Sequence, residues 1–175
     1  MLDICLLGTG GMMPMPSRFL TAMLARLNGR LALIDCGEGT QVTMKMLGWG
    51  FKAIDVICFT HFHADHISGL PGLLLTIGNA GRTEPLTLIG PVGLQRIVEG
   101  LTLIAPELPF PIEYIELTQD APNPIRVGAF EIHHCPADHM VKCFAYRIDL
   151  KRKGKFDVKK AEQLKLPKPL WNKLQ

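Results

Sequence analysis

The sequence lacks any run of eighteen apolar residues, and its first residues do not show a basic stretch followed by an apolar one. The first absence gives no indication of a membrane-spanning helix, and the second gives none of a signal peptide. No internal repeat occurs either. The cytoplasm is therefore the expected compartment, with no membrane partner.

Cysteine is sparse and poorly patterned for cross-linking. The five cysteines, at positions 5, 36, 58, 135 and 143, are odd in number and never form a C-x-x-C pair. This argues against a disulfide framework and against a structural zinc ribbon. We expect all five to be small buried hydrophobic residues.

The charge is unevenly distributed along the 175 residues. Residues 1–150 carry a net charge of −4, whereas residues 151–175 carry +7. With 47% hydrophobic and 20% charged residues, the chain has the balance of a globular protein. We therefore predict a globular unit over residues 1–150 and a separate basic segment over residues 151–175.

The hydrophobic pattern predicts strands alternating with helices. Asn28-Gly29 lies between two apolar runs, which is the strongest short-range signal for a β-hairpin. Gly48 marks the end of the first predicted helix. The predicted strands cover residues 3–9, 20–27, 30–36, 54–60, 86–90, 112–117, 125–134 and 141–150, and the predicted helices cover 37–47, 67–79 and 91–104. This order indicates a mixed sheet covered by helices.

The segment THFHADHISGL, residues 60–70, concentrates ligand-type side chains at the end of the strand predicted at 54–60. His61 and His63 are two residues apart in extended chain, so their imidazoles can point to one side. Asp65 and His66 follow at the turn into a helix and approach from another direction. Imidazole and carboxylate without thiolate favour zinc, or a similar divalent ion, in a catalytic site. Two pairs with different directions suggest two ions.

A zinc ion held by His61 and His63 needs a third protein ligand. The other histidines are 133, 134 and 139, all within EIHHCPADHM. We choose His139 because it lies in a loop that leads into the next predicted strand. His133 and His134 alternate faces, so one of them is expected to be a hydrogen-bonded core or surface residue. Cys135 is a weaker candidate, since imidazoles and carboxylates already satisfy this type of site.

These segments resemble the metallo-β-lactamase fold superfamily, and more narrowly the ribonuclease Z family. The likeness rests on H-x-H-x-D-H after a strand, together with LLGTGGMMPMPSR, LIDCGEGTQ, FTHFHADHISGLPGLL and DHMVKCFAYR. It extends over essentially the whole chain. The resemblance implies an α/β (α+β) fold, an αββα sandwich of which the N-terminal half and the start of a substrate arm are present.

The resemblance also implies residue roles. One zinc would be held by His61, His63 and His139, and a second by Asp65 and His66. Asp65 would in addition accept the proton of the attacking water. The function implied is a metal-dependent endoribonuclease that removes 3′ trailers from precursor tRNA.

Asp35 lies at the end of a predicted strand, two residues before Gly37. We assign it the orientation of a ligand imidazole. Capping of the helix predicted at 37–47 is the alternative for the same carboxylate.

The basic segment occupies the place of the arm with which ribonuclease Z grips tRNA. We expect it to bind phosphates, with an affinity that falls steeply as salt rises. A solvated basic tail is the alternative. The residues proposed to contact RNA are Arg18, Lys151, Arg152, Lys153, Lys155 and Lys168. A homodimer is also implied by the resemblance.

The sequence departs from the family after residue 150. There the family supplies a bridging carboxylate and a further histidine, whereas this segment contains only Asp157 and Glu162 as acids and no histidine. We expect a fragment whose other half is supplied by the rest of the protein; a split protein completed by another chain and a short homologue are the alternatives. The alternative functions are hydrolysis of small phosphodiesters or sulfate esters, and RNA binding without catalysis. Half of a sandwich would leave an apolar sheet face uncovered, so the chain alone should be poorly soluble or paired.

Overall fold

The computed structural model describes residues 2–105, 107–150 and 156–171. Its nine strands and six helices follow the predicted order up to residue 150 with corrections given below, and two short helices lie in the basic segment, for which no element was predicted. The strands are β1 Leu2–Gly8, β2 Ala22–Leu27, β3 Arg30–Ile34, β4 Ile54–Cys58, β5 Leu86–Pro91, β6 Ile112–Leu117, β7 Ile125–Val127, β8 Phe130–Ala137 and β9 Cys143–Asp149. The helices are α1 Thr40–Leu47, α2 Ala64–Ile67, α3 Leu70–Asn79, α4 Leu94–Leu101, α5 Val158–Gln163 and α6 Lys168–Trp171, with a 3₁₀ turn at Thr102–Ile104.

The strands form two sheets rather than the single mixed sheet predicted from the pattern. Six strands pair in the order β1-β2-β3-β4-β5-β6, antiparallel at β1-β2-β3 and parallel from β3 to β6. The other three form an antiparallel sheet, β7-β8-β9. The hairpin predicted at Asn28-Gly29 is confirmed, because both residues have positive φ, as a two-residue turn of this type requires.

Two apolar layers enclose the large sheet. On one face, side chains of the sheet pack against residues of α1, α3 and α4 such as Met44, Leu73 and Val98. On the other face, Ala32, Val56 and Ile89 pack against the small sheet. Helices, large sheet and small sheet therefore stack as three layers, and the parallel strands β3 and β4 end at one common edge.

Four predicted elements need correction. The helix predicted at 67–79 starts later, as α3 at Leu70, and a separate short helix, α2, ends at Ile67. Pro71 lies in the first turn of α3, where a missing N–H costs nothing. Pro91 closes β5 instead of opening a helix, and α4 starts after Gly93, whose φ of 99° sets the turn. Residues 125–134 are divided into β7 and β8 by a reversal at Gly128, whose φ is 54°. In α1 the buried residues are Thr40 and Met44, whereas Val42 and Met46, which lie at helical spacing in the sequence, are exposed.

The cysteines are only partly as predicted. Cys36 and Cys58 are buried, but Cys135 is exposed and Cys5 and Cys143 are half-buried. Alternation along β8 explains Cys135, because Ile132 faces the core and a residue three positions later points away from it.

The side of the sandwich at β1 is open. Ile4 is 59% exposed even though it lies on a strand of the large sheet. A cavity of about 200 Å³ between the two sheets is lined there by Leu2, Ile4, Met23 and Ile148, among other residues. This is the uncovered apolar sheet face expected from the sequence. Among the described residues, no helix has both the length and the apolarity needed to cross a membrane.

Candidate metal centre

The residues after β4 form the floor of the site. β4 is fully hydrophobic at Val56, Ile57 and Cys58 and is buried by both layers. The chain then leaves the sheet edge as Thr60, His61, Phe62 and His63, and His63 is the residue from which α2 starts. The end of a buried strand therefore delivers two imidazoles to the edge where β3 also ends.

The structure brings His61, His63 and His139 together. One nitrogen from each ring lies within 4.8 Å of the nitrogens of the other two, and His61 Nε2 is 3.1 Å from His63 Nδ1. His139 comes from the loop between β8 and β9, as the sequence predicted. Its ring centroid is 4.7 Å from that of His61 and 5.2 Å from that of His63.

Asp65 and His66 lie beside this triad on the short helix α2. His66 Nε2 is 3.7 Å from Asp65 Oδ2, and the His66 ring centroid is 4.1 Å from that of His61. The backbone N–H of Met12, in the loop after β1, donates a hydrogen bond to Asp65 Oδ2 at 3.1 Å. The two ligand pairs predicted from the sequence are thus adjacent and differ in direction.

Asp35 lies beneath the imidazoles and does not cap a helix. Its carboxylate accepts hydrogen bonds from His66 Nδ1 at 2.8 Å and from the Thr60 backbone N–H at 2.8 Å. Helix α1 instead begins after Gly39 and has no side-chain cap. The placement is the one expected of a residue that orients an imidazole.

The backbone of Asp35 is held in an unusual conformation. Its φ of 59° lies in the left-handed region, which costs a non-glycine residue free energy. Burial of the residue, at 2% exposure, and three hydrogen bonds, two from Thr60 and one from His66, fix it there. The strain supports the view that the carboxylate is placed for the histidines above it.

Two glycines let the Asp35 loop approach α2 closely. The Cys36 N–H donates to the carbonyl of His66, and the Gly69 N–H donates to the carbonyl of Cys36. A Cβ on Gly69 would overlap the carbonyl of Gly37, and one on Gly37 would overlap the carbonyl of Asp65. The position of His66 therefore depends on the absence of side chains at both glycines.

We expect Gly69→Ala to destabilise the protein by about 1–3 kcal/mol, the usual cost of overpacking a close contact. Gly100→Ala is the matched control, since a Cβ there meets nothing within 4 Å. Alanine in the exposed helix position should stabilise by roughly 0.5–1 kcal/mol. Urea unfolding of the metal-free protein measures both changes, and equal stability of the two variants would contradict the close contact.

Burial and charge repulsion set the protonation state of His61. Burial is the largest cause and the neighbouring His66 and His63 add to it, and together they lower the pKa of His61 to about 4. The hydrogen bond to Asp35 raises the pKa of His66. Near neutral pH His61 is therefore an uncharged imidazole, which is the form that binds metal.

The donor set fits a catalytic metal site. Three converging imidazoles match the three protein ligands of such a zinc site, and no cysteine belongs to the triad. Asp65 and His66 give a second ion two ligands, so this second position needs further ligands beyond these two.

The remaining sequence candidates lie away from the triad. His133 Nε2 is 3.1 Å from Asp149 Oδ2, and with Glu131 these residues form a second group on β8 and β9. Both carboxylates there also bond arginines, Arg126 to Glu131 and Arg147 to Asp149. The arginines neutralise the carboxylates, so we assign this group a structural role.

The other described candidates named from the sequence contact neither the triad nor the pair formed by Asp65 and His66. His134 Nε2 donates to the carbonyl of Pro122 at 3.3 Å. Arg18 donates to the carbonyl of Thr9 at 2.9 Å, and Lys168 is exposed on α6. Residues Lys151, Arg152, Lys153 and Lys155 lie outside the described residues.

Sequence reasoning missed Thr60 and the backbone of Met12. The Thr60 hydroxyl is 2.9 Å from Asp35 Oδ2 and 2.9 Å from His61 Nδ1. A polar residue directly before the first histidine, at a strand end, was the signal available for it. Met12 contributes only its N–H, which no sequence pattern identifies.

Comparisons with known proteins show which families have a similar sequence and fold. The family model described as Anti-Pycsar protein Apyc1 matches residues 2–98, more than half of the chain. A protein named Ribonuclease Z from Lachnospira eligens is 57% identical over 175 residues, which cover 100% of this chain and 57% of that protein. The chain thus spans less than two thirds of the length of that relative.

Solved structures give the same result for the fold. The crystal structure of human tRNase Z, short form, is similar with a TM-score of 0.73 and 30% identity, covering 85% of this chain and 65% of that chain. The metallo-β-lactamase fold protein YhfI from Bacillus subtilis is similar with a TM-score of 0.69 and 19% identity, covering 85% of this chain and 57% of that chain. The predicted fold class is confirmed. The chain has the metallo-β-lactamase fold, it is similar to proteins named Ribonuclease Z and tRNase Z, and it belongs to the family that the Apyc1 model describes.

Proposed function

We propose that the complete protein is a metal-dependent endoribonuclease that removes 3′ trailers from precursor tRNA. The observation that carries the proposal is the convergence of His61, His63 and His139, with Asp65 and His66 beside them. The similarity to proteins named Ribonuclease Z supports this choice of reaction among those open to a metal centre.

Zinc is the proposed metal. The triad of His61, His63 and His139 would hold one ion, and Asp65 and His66 would contribute to a second. Bound zinc supplies a hydroxide near neutral pH and neutralises charge on a phosphate oxygen. The chain spans little more than half of its relatives, so we propose that the missing ligands of the second ion come from the rest of the protein.

Asp65 is the proposed proton acceptor. Its carboxylate sits at the N-terminal end of α2, next to His66 and under the loop that contains Met12. The hydrogen bond from the Met12 N–H fixes one carboxylate oxygen. A carboxylate held in this way can take a proton from a water positioned above the imidazoles.

A cleft beside His139 is the proposed route for the substrate. A cleft of about 790 Å³ opens beside His139 and is lined by Lys142 and Phe144, among others. We propose that RNA enters there, that Arg18 meets the acceptor end, and that the basic segment 151–175 grips the tRNA as a separate arm. Of the arm residues proposed to bind RNA, Lys168 is the one that the structure describes, and it is exposed on α6.

The open edge of the sandwich supports a larger assembly. Ile4 and the cavity it lines need a covering layer, which we propose is provided by the remainder of the protein. A homodimer that acts in the cytoplasm completes the proposal, on the resemblance to ribonuclease Z.

The test is cleavage of a precursor tRNA and of a small chromogenic phosphodiester by the complete gene product. We expect both activities. Replacing residues 151–171 by a short Gly/Ser linker should weaken RNA binding by roughly tenfold or more and flatten its salt dependence, because phosphate contacts are lost. Hydrolysis of the small diester should not change.

Three other outcomes of these measurements would contradict part of the proposal. Equal loss of both activities would contradict a separate arm. Cleavage of the small diester alone would favour a small-substrate hydrolase, and bound zinc with neither activity would favour a non-catalytic RNA-binding module.

A further inference from the structure

Thr60 occupies the junction between the buried carboxylate and two of the imidazoles. Its hydroxyl oxygen lies 2.9 Å from Asp35 Oδ2, 3.1 Å from Asp35 Oδ1 and 2.9 Å from His61 Nδ1. Its backbone N–H also donates to Asp35, and its carbonyl accepts from the N–H of Phe144 on β9. These backbone hydrogen bonds fix the position of Thr60, and its hydroxyl is therefore held next to the His61 ring.

The protons of this network can be assigned. A carboxylate accepts hydrogen bonds and a hydroxyl has a single proton, so the Thr60 O–H donates to Asp35. The hydroxyl oxygen then has only lone pairs left for His61. The bond at 2.9 Å consequently requires a hydrogen on His61 Nδ1.

From this arrangement we propose that Thr60 is a positioning residue that selects the Nδ1–H tautomer of His61 and leaves its Nε2 free to bind metal. His61 Nε2 is the atom that faces His63, 3.1 Å from its Nδ1. Asp35 thus controls two imidazoles: it accepts directly from His66 Nδ1 and acts on His61 through the Thr60 hydroxyl.

The nearby thiol does not replace the hydroxyl. Cys143 Sγ is 4.0 Å from His61 Nδ1, at the limit of a hydrogen bond to sulfur, whereas Thr60 Oγ1 is 2.9 Å away. A thiol is also a weak acceptor. The tautomer of His61 therefore depends on Thr60.

The decisive measurement is the ¹⁵N spectrum of the histidine rings in the complete gene product after removal of metal. Near neutral pH we expect His61 to show a protonated Nδ1 and an unprotonated Nε2. Observation of the Nε2–H form in the wild type would overturn the proposal without any variant.

Variants give the second test. Thr60→Val keeps the branched shape and the backbone bonds but removes the hydroxyl, and it should mix the two tautomers. Zinc affinity should fall roughly 10–100-fold, as for other partners behind a metal ligand. Thr60→Ser restores the hydroxyl and should recover both the tautomer and most of the affinity. Unchanged tautomer and affinity in Thr60→Val, or no recovery in Thr60→Ser, would refute the role.

The proposal rests on the proposed function only in that a metal is the ligand of the triad. The tautomer is measured without metal, and the affinity is measured without RNA. A protein with the expected tautomer and zinc affinity but no cleavage of precursor tRNA would therefore contradict the function and leave the role of Thr60 intact.

Discussion

Replacing His63 with alanine should empty the zinc site that we propose it forms with His61 and His139. The triad then retains two protein ligands, fewer than the three that a catalytic zinc site uses. Loss of a direct ligand should cost at least the roughly 100-fold in affinity that the loss of an orienting partner can cost. We expect the zinc content per chain, measured by elemental analysis after gel filtration, to fall by half or more.

His134→Ala is the matched control for this experiment. His134 lies on β8, where its ring donates a hydrogen bond to the carbonyl of Pro122. It belongs neither to the triad nor to the pair formed by Asp65 and His66. The same change of residue type should leave the zinc content as in the wild type. Wild-type zinc content in His63→Ala would remove the basis of the metal assignment.

Asp65→Asn should reduce the rate of precursor tRNA cleavage by about 10²–10⁴-fold, the usual contribution of a general base. Asparagine has nearly the same shape and can still accept the hydrogen bond from the Met12 N–H. It cannot take up a proton, and it is a poorer ligand for a cation beside His66. The measurement is the single-turnover rate with enzyme in excess over RNA.

Asp120→Asn serves as the control, because Asp120 is exposed in the turn after β6. Its rate should match the wild type. A rate for Asp65→Asn close to the wild type would rule out Asp65 as proton acceptor, and zinc analysis of the same sample shows whether a loss of metal contributes to any decrease.

The sequence alone was sufficient to predict the edge on which the site is built. Strand β4 is a short apolar run, and the residues that follow it are all polar or aromatic, so the histidines had to lie at a strand end. His139 could be preferred over His133 and His134 because it lies beyond the predicted strand. In the structure its ring centroid is 4.7 Å from that of His61. The roles of these residues as ligands remain predictions.

Other features could not be predicted because they depend on contacts between distant segments. Alternation in β7, β8 and β9 shows which residues are buried, but not that these strands leave the main sheet. The Thr60 hydroxyl donates a hydrogen bond to Asp35, 25 residues earlier in the chain, and single-sequence patterns give no information on such a bond. Pro91 was predicted to start a helix but ends β5, because a proline is compatible with both positions.

The three imidazoles of the triad come from different layers. His61 and His63 follow a strand of the large sheet, whereas His139 connects two strands of the small one. A cation bound by all three would be a cross-link between layers that are otherwise joined mainly through apolar contact. Because a ligand of the native state adds about 2.7 kcal/mol at a hundredfold excess over its Kd, layer cohesion would vary with the supply of free metal. Loss of the metal would then weaken the packing of the two sheets against each other as well as abolish catalysis.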